Sequence, residues 1–450
     1  MRRWAAVFAA EAACVLALSC ASSNEDNGRL EEDAGIDSST EPSTTPIVEP
    51  TTDSGRPEDA GSPKPREVTC KHEPCYVSVS GNGGQHVCGL LSDGTVRCWG
   101  RDSLEPPATP GARGDGALGR NAAVSAIEGA TPAPVVGLSS VVQISVGPNL
   151  GTCARTSDGA VFCWGRNEAG QLGRPYTEPT LAVPTRVEGI PPVKDVQLGH
   201  RLACAIAVEG GGVYCWGIFP PEFRFAWDAY GIDAAQLTPF PPQAVTTLPG
   251  PLTSLAIATA GFPAMDTVVG LREDGVLVNI GPHVTGQTSV NPPWSGPLER
   301  SSVVGAWAFA YLSADTQLWQ WSPRNGDTSS RKVFLPSTHL VVDVKVSAYS
   351  AGPSQQVEQG GALLATGRLY RWGANSAGAL GVDPNDKPSA QYPMEVAQLG
   401  DRVVSFATTR EAACASLVDG NVECWGANSH GELGRGSIDL AAHPVPEPIR

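Results

Sequence analysis

From about residue 67 onward, apolar and polar positions exchange places every second residue over short runs bounded by glycine, proline and aspartate. That period of two predicts half-buried β-strands, and no stretch between them holds the 3.6-residue period of an amphipathic helix. The sharpest pair of runs, residues 153–173 (CARTSDGAVFCWGRNEAGQLG), returns at 414–434 as CASLVDGNVECWGANSHGELG, and with an insertion at 88–119. Recurrence of this kind identifies a repeat protein before any finer question is asked.

Asp-Gly between β-prone runs is a hairpin signal. With a three-residue loop at Ser92-Asp93-Gly94, Leu91 faces Thr95 and Cys88 falls opposite Cys98. Glycine then takes the positive-φ place that closes the loop. The same spacing pairs Cys153–Cys163 and Cys414–Cys424, and Cys204–Cys215 is one residue longer, which a longer Glu209-Gly210-Gly211 loop absorbs. Opposed cysteines on antiparallel neighbours reach disulfide geometry at some pair positions. A zinc site is the alternative, but its ligands cluster more closely than this. The Trp-Gly after each second cysteine reads as a ring covering the neighbouring unit and a glycine turning the backbone; in Gly-Gln-Leu-Gly the leucine reads as core.

Aligned on Trp-Gly, clear units centre on Trp99, Trp164, Trp216, Trp372 and Trp425. Degenerate copies at 269–281 and 310–321, both without cysteines, bring the count to seven. A β-rich run such as 141–147 precedes each unit, and a Pro-x-x-Val segment such as 184–187 supplies a fourth strand. The expected fold is all-β, a seven-bladed β-propeller of four-stranded blades. The tail at 443–449 is expected to close the ring as a strand beside unit one, with 65–68 as the competing segment.

On these residues the chain resembles the regulator-of-chromosome-condensation (RCC1) repeat family, whose pattern Asp-Gly-x-Val-x-Cys-Trp-Gly-x-Asn-x-x-Gly-Gln-Leu-Gly is followed in units spanning 67–450. The resemblance implies a seven-bladed binding platform. Family members include an exchange factor for a small nuclear GTPase and a secreted bacterial β-lactamase inhibitor. Paired cysteines resemble the exported bacterial branch. The exchange factor's contact residues match no motif here, so exchange activity is not carried over.

Composition alters the picture at the N-terminus. Residues 1–19 read as a signal peptide, with Arg2 and Arg3 before an apolar run too short to span a bilayer. The run ends in a box resembling a lipoprotein cleavage site, with Cys20 as the lipidated residue; an ordinary signal peptide cut nearby is the alternative. Residues 20–66, rich in Ser, Thr, Pro, Asp and Glu, read as a disordered linker. Residues 67–450 form the propeller. The net charge of −15 argues against a nucleic-acid partner, whose phosphates need basic patches. Of twelve cysteines, Cys14 leaves with the signal, Cys20 takes lipid and eight form the hairpin pairs, leaving Cys70 and Cys75 to pair with each other. Full pairing fits an oxidising compartment. The expected location is the bacterial cell envelope, as an outer-membrane lipoprotein.

In a propeller the loops carry function, because blades repeat and loops need not. Two loops are enlarged just after Trp-Gly. One spans 103–115 and contains Arg113-Gly114-Asp115, a tripeptide common by chance. The other crowds Phe219, Phe223, Arg224, Phe225, Trp227 and Tyr230 into a chain only 6% aromatic. These six are the candidate binding loop, since aromatics and arginine dominate binding hot spots; folding back over the blade is the alternative. No catalytic, cofactor or metal site is expected: zinc-protease, nucleophile-elbow and phosphate-loop motifs are missing. His86, His200 and His430 read as surface or turn residues. The expected protein is a monomeric binding platform for a protein or glycan, anchored to the membrane by lipid. The rival is a propeller hydrolase or lyase acting on polysaccharide. Lipidation predicts that Cys20→Ser moves the protein out of the detergent phase; unchanged partitioning of that variant excludes it.

Overall fold

The computed structural model describes residues 65–103, 115–121, 124–218, 239–245, 250–260, 265–273, 277–280, 298–301, 309–313, 318–321, 330–333, 335, 340–352 and 355–450. All belong to one compact unit, Asp59–Arg450. Cys20 and the candidate loop from Phe219 to Tyr230 lie outside the described residues, as does most of the 103–115 insertion.

Seven antiparallel sheets form among the described residues, each from consecutive strands. Sheet one comprises Tyr76–Ser80, His86–Leu91, Val96–Gly100 and Ala133–Pro134; sheet two comprises Val141–Val146, Gly151–Thr156, Val161–Arg166 and Thr180–Arg186. Sheet three runs from Val193–Leu198 through Leu202–Ala207 and Val213–Gly217 to Phe240–Ala244. Sheet four shows three strands, Leu252–Ala260, Met265–Arg272 and Leu277–Ile280, where four were expected; residues 281–297 lie outside the described set. Sheet five spans Leu298–Ser301 to Ser330–Val333. Sheet six contains Val341–Gly352, Gln355–Leu364, Leu369–Ala374 and Ser389–Glu395, and sheet seven Val403–Thr408, Ala412–Leu417, Val422–Gly426 and His443–Pro448. One helical turn, Ala126–Gly129, is held by a Ser125/Glu128 capping box.

The hairpins have the expected register. Leu90 faces Val96 and Cys88 faces Cys98. The Leu91 amide donates to Thr95 O at 2.9 Å, and Gly94 sits at φ +77°. In sheet three the loop is one residue longer, and Cys204 faces Cys215. Disulfides join Cys88–Cys98, Cys153–Cys163, Cys204–Cys215 and Cys414–Cys424 across Cα separations of 4.1 Å, and Cys70–Cys75 at 5.7 Å. The 4.1 Å separation marks the non-hydrogen-bonded pair position, where opposed side chains come closest.

Second strands are buried on both faces, as Leu202–Ala207 shows along its whole length, because each sheet is sandwiched between neighbours. One contact repeats at these interfaces. The indole N–H of Trp164 donates to Ala117 O at 3.0 Å, Trp216 to Gln171 O at 2.9 Å, and Trp425 to Ala379 O at 2.9 Å. Each acceptor precedes the leucine of the preceding unit's Gly-x-Leu-Gly, and Leu118, Leu172 and Leu380 are fully buried beside it. Trp99 of sheet one makes the same bond to Glu432 O of sheet seven at 2.9 Å. The following glycine is obligatory: at Gly165, φ +100°, an added Cβ would lie 2.2 Å from Leu150 O.

Buried asparagines hold the turns. Asn167 Oδ1 accepts from the Leu172 amide at 3.0 Å, while its Nδ2 donates to Glu178 O at 2.9 Å and Pro175 O at 3.1 Å. Asn375 and Asn428 repeat this fork. Innermost strands, whose outer edges would otherwise be open, are tied across sheets by side chains. Val79 N donates to Ser405 Oγ at 3.0 Å, Val146 N to Ser80 Oγ at 3.2 Å, Leu198 N to Ser145 Oγ at 2.9 Å, and Leu255 N to Asp195 Oδ2 at 3.2 Å.

The tail corrects one expectation. His443–Pro448 pairs with Val422–Gly426, so it is the outer strand of its own sheet and does not complete unit one. Alternate prolines suit that edge, where half the amides need no partner. Sheet one packs directly on sheet seven through Val79, Val87, Trp99, Ala407, Ala412 and Leu433. The segment before sheet one is stapled to sheet seven's hairpin turn: Thr69 N donates to Val418 O at 2.7 Å and Tyr76 N to Gly420 O at 3.0 Å.

Trp99→Phe keeps an aromatic ring but leaves the buried Glu432 carbonyl without its donor. It should cost about 1–3 kcal/mol in urea unfolding, with Trp164→Phe similar; no loss in either would mean that the indole bond carries no stability.

Candidate functional site

In sheets one, two, three and seven the residue after Trp-Gly donates its amide to the loop between the first and second strands of the same sheet. Arg101 N reaches Gln85 O at 2.8 Å, Arg166 N Leu150 O at 3.0 Å, Ile218 N Arg201 O at 2.9 Å, and Ala427 N Glu411 O at 2.9 Å. Repetition of this contact brings Arg101 and Arg166, on its donor side, and Arg201 and Glu411, on its acceptor side, to the same rim of sheets one, two, three and seven. Arg410 joins them, its amide bonded to Gly84 O at 2.9 Å. Both insertions start from this rim, after Arg101 and after Ile218. The first is pinched at its base by Ser103 Oγ donating to Asp115 Oδ2 at 3.3 Å.

Acidic groups are interleaved with these arginines. Arg166 pairs with Glu168, and Ser376 of sheet six donates to Glu411 at 2.9 Å. Asp266 of sheet four is buried and accepts three amides of sheet three, from His200, Arg201 and Leu202, at 2.8, 2.6 and 2.9 Å. It thereby fixes the loop that carries Arg201. Partial burial lowers the Arg101 guanidinium from its ordinary value, Asp115 and Glu432 oppose that, and Arg166 and Arg410 add to it. Burial likewise lowers His200, against the pull of Asp266. The rim is a mixed-charge surface.

Gln85, His430, Ser429 and Glu432 form the polar knot where sheets one and seven meet. Arg101 Nη1 donates to Gln85 Oε1 at 2.5 Å, and Gln85 Nε2 lies 3.3 Å from His430 Nδ1. Ser429 Oγ and Glu432 Oε1 lie 2.9 and 3.1 Å from that same Nδ1. A catalytic triad has the same residue types but different wiring, with nucleophile and acid on opposite ring nitrogens. Here both share one nitrogen, which positions the imidazole between them.

His86 departs from the surface role expected of it. It is fully buried at the start of its strand, with Nε2 2.8 Å from Thr152 Oγ1 of sheet two. Burial lowers its pKa to about 4. Asp102 occupies the place of the turn asparagines and accepts from the Leu118 amide at 2.9 Å, and burial raises its carboxyl. Cys70 and Cys75 lie near Glu73 in a metal-like grouping, but their sulfurs are joined to each other. No helix among the described residues is long and apolar enough to cross a membrane.

Comparison with known proteins agrees with this geometry. Residues 158–206 match the model of the "Regulator of chromosome condensation (RCC1) repeat", and a second model of that description matches 76–104 and 141–171. Residues 76–104 and 141–206 are similar to RCC1 repeats. It is 25% identical to human E3 ubiquitin-protein ligase HERC2 over 341 residues, which is 71% of this chain but only 7% of that protein. It is 34% identical to protein pim1 of Schizosaccharomyces pombe over 144 residues, 30% of this chain and 23% of the relative. The mouse secretion-regulating guanine nucleotide exchange factor is 26% identical over 65% of this chain and 68% of its own. Among solved structures, Prp20p of Saccharomyces cerevisiae, described with its binding to Gsp1p and histones, superposes with a TM-score of 0.59 at 18% identity, covering 84% of this chain and 87% of its own. Human WBSCR16 gives 0.55 at 17% identity over 79% and 94%. These two carry the β-propeller fold.

The buried imidazole makes stability depend on acid. His86 is neutral when folded, with its pKa depressed from 6.5 to about 4, so its contribution is complete above pH 6.5 and is lost as pH falls to 4. The loss amounts to about 3 kcal/mol. His86→Gln, which retains a polar group toward Thr152, should flatten the stability profile between those limits; an unchanged slope would assign the acid sensitivity elsewhere.

Proposed function

We propose that this chain is an exported, lipid-anchored binding platform: a closed, seven-bladed RCC1-like propeller that captures a protein through the rim carrying Arg101, Arg166, Arg201 and Arg410. The observation that carries the reading is the division of labour among polar groups. Tryptophan N–H groups, turn asparagines and strand serines are spent on internal bonds, whereas the rim concentrates charged side chains and launches both insertions. Its mixed charge fits a protein surface, which offers both signs, better than a uniform polyanion. The aromatic insertion with Phe219, Phe223, Arg224, Phe225, Trp227 and Tyr230 would supply the apolar anchor beside it. Export is supported by five disulfides, which persist outside reducing compartments. In this reading residues 1–19 are the signal, 20–66 the lipid-anchored linker at the cell envelope, and 67–450 a monomeric propeller.

Capture of a discrete partner from cell-envelope extract by the full chain, lost on combining Arg101→Glu with Arg166→Glu while the melting temperature holds, is the expected result. Capture indifferent to both reversals would remove the rim from the interface. Release of reducing sugar from envelope polysaccharide by the purified protein would favour the hydrolase or lyase reading instead.

A further inference from the structure

Sheet six lacks the cysteine pair, and its replacement is chemically odd. Where Cys88 faces Cys98 in sheet one, Gly361 faces Arg371 in sheet six. The disulfides of sheets one, two and seven are buried against the next sheet around. Position 361 likewise meets the next sheet, since a Cβ added to Gly361 would lie 2.6 Å from the Phe406 ring of sheet seven. A guanidinium therefore occupies a position that in the cysteine-bearing sheets holds two sulfurs.

Arg371 is fully buried, and its one hydrogen bond runs from Nη2 to Gln359 Oε1 at 3.0 Å. Its Nε and Nη1 have no partner, and neither does Nε2 of Gln359, which is 1% exposed. Gln359 Nε2 sits on the same amide carbon as the oxygen that Arg371 grips, so the unused donors belong to one cluster. The amide orientation is fixed by chemistry, because only its oxygen can accept from arginine. Burial lowers Arg371 to about 10, with no acidic group offsetting it, and the side chain remains charged at neutral pH. An uncompensated buried charge with unmade hydrogen bonds is strongly unfavourable.

We propose that Arg371 and Gln359 form a buried site for a small inorganic monoanion of chloride size between sheets six and seven. The donor set consists of N–H groups alone, which excludes a cation. Closure of the interface excludes a larger anion: both side chains are buried, and the Phe406 ring of sheet seven closes over Gly361. The ion does there what the disulfide does in the cysteine-bearing sheets, filling the interface and holding strand to strand.

The test compares thermal unfolding of the full chain in sodium chloride and in sodium gluconate at equal ionic strength, with ³⁵Cl line broadening as an independent readout. The melting temperature should rise by about 2 °C for each tenfold increase in chloride above its dissociation constant, with gluconate inert. Gln359→Glu, which supplies a carboxylate in the anion's place, should fold, abolish the chloride dependence and remove the line broadening. Arg371→Met should also remove both, and if it fails to fold the glutamate variant still decides. Equal melting in both salts without broadening would mean that water fills the site and would overturn the proposal. So would chloride effects that persist in Gln359→Glu.

Discussion

The indole N–H of Trp99, Trp164, Trp216 and Trp425, bonded to the carbonyl before the leucine of the preceding unit, is the contact on which the architecture depends. A sheet of this kind has two apolar faces and cannot bury both by itself. The tryptophan covers one neighbour, and the hydrogen bond fixes how far one sheet turns against the next. Because Trp99 makes the same bond back to Glu432 O, the first and last sheets meet as sheets one and two, two and three, and six and seven do. No strand need be exchanged between the chain ends for them to pack.

That constraint explains where side-chain identity is left to vary between units. The asparagine of each turn is bound on both ends of its amide, the cysteines are joined, and the inner serines accept from the next sheet. What remains is the loop between first and second strands and the residue after Trp-Gly, which meet in a fixed backbone bond but whose side chains are not prescribed. Arg101, Arg166 and Arg201 stand there. Sheet six shows the converse case: where the consensus fails, with glycine for one cysteine and arginine for the other, a charge is left inside.

Much of this was legible in the one-dimensional pattern. Asp-Gly turns fixed hairpin length, hairpin length fixed register, and register put cysteine opposite cysteine. The chain of reasoning is local, and local rules are what a repeat amplifies. The roles of Trp-Gly and Gly-x-Leu-Gly as packing elements followed from residue size. The indole's hydrogen-bond partner did not, because the acceptor is a backbone carbonyl some 46 residues away, and every residue carries one.

The sequence by itself therefore determined the all-β class, hairpin register and disulfide pairing, all consequences of spacing within one unit. Only the tertiary structure decided what lies between units. It buried His86, which sits beside a turn in the chain but under sheet two in space. It returned His443–Pro448 to its own sheet, since a proline-spaced strand fits an outer edge wherever one is offered and spacing alone does not choose which. It also gathered the rim arginines from four sheets, and set Arg371 against Gln359 where no acid among the described residues reaches it. Contacts between units depend on the rotation from one sheet to the next, and that rotation is written in packing geometry, not in the order of residues.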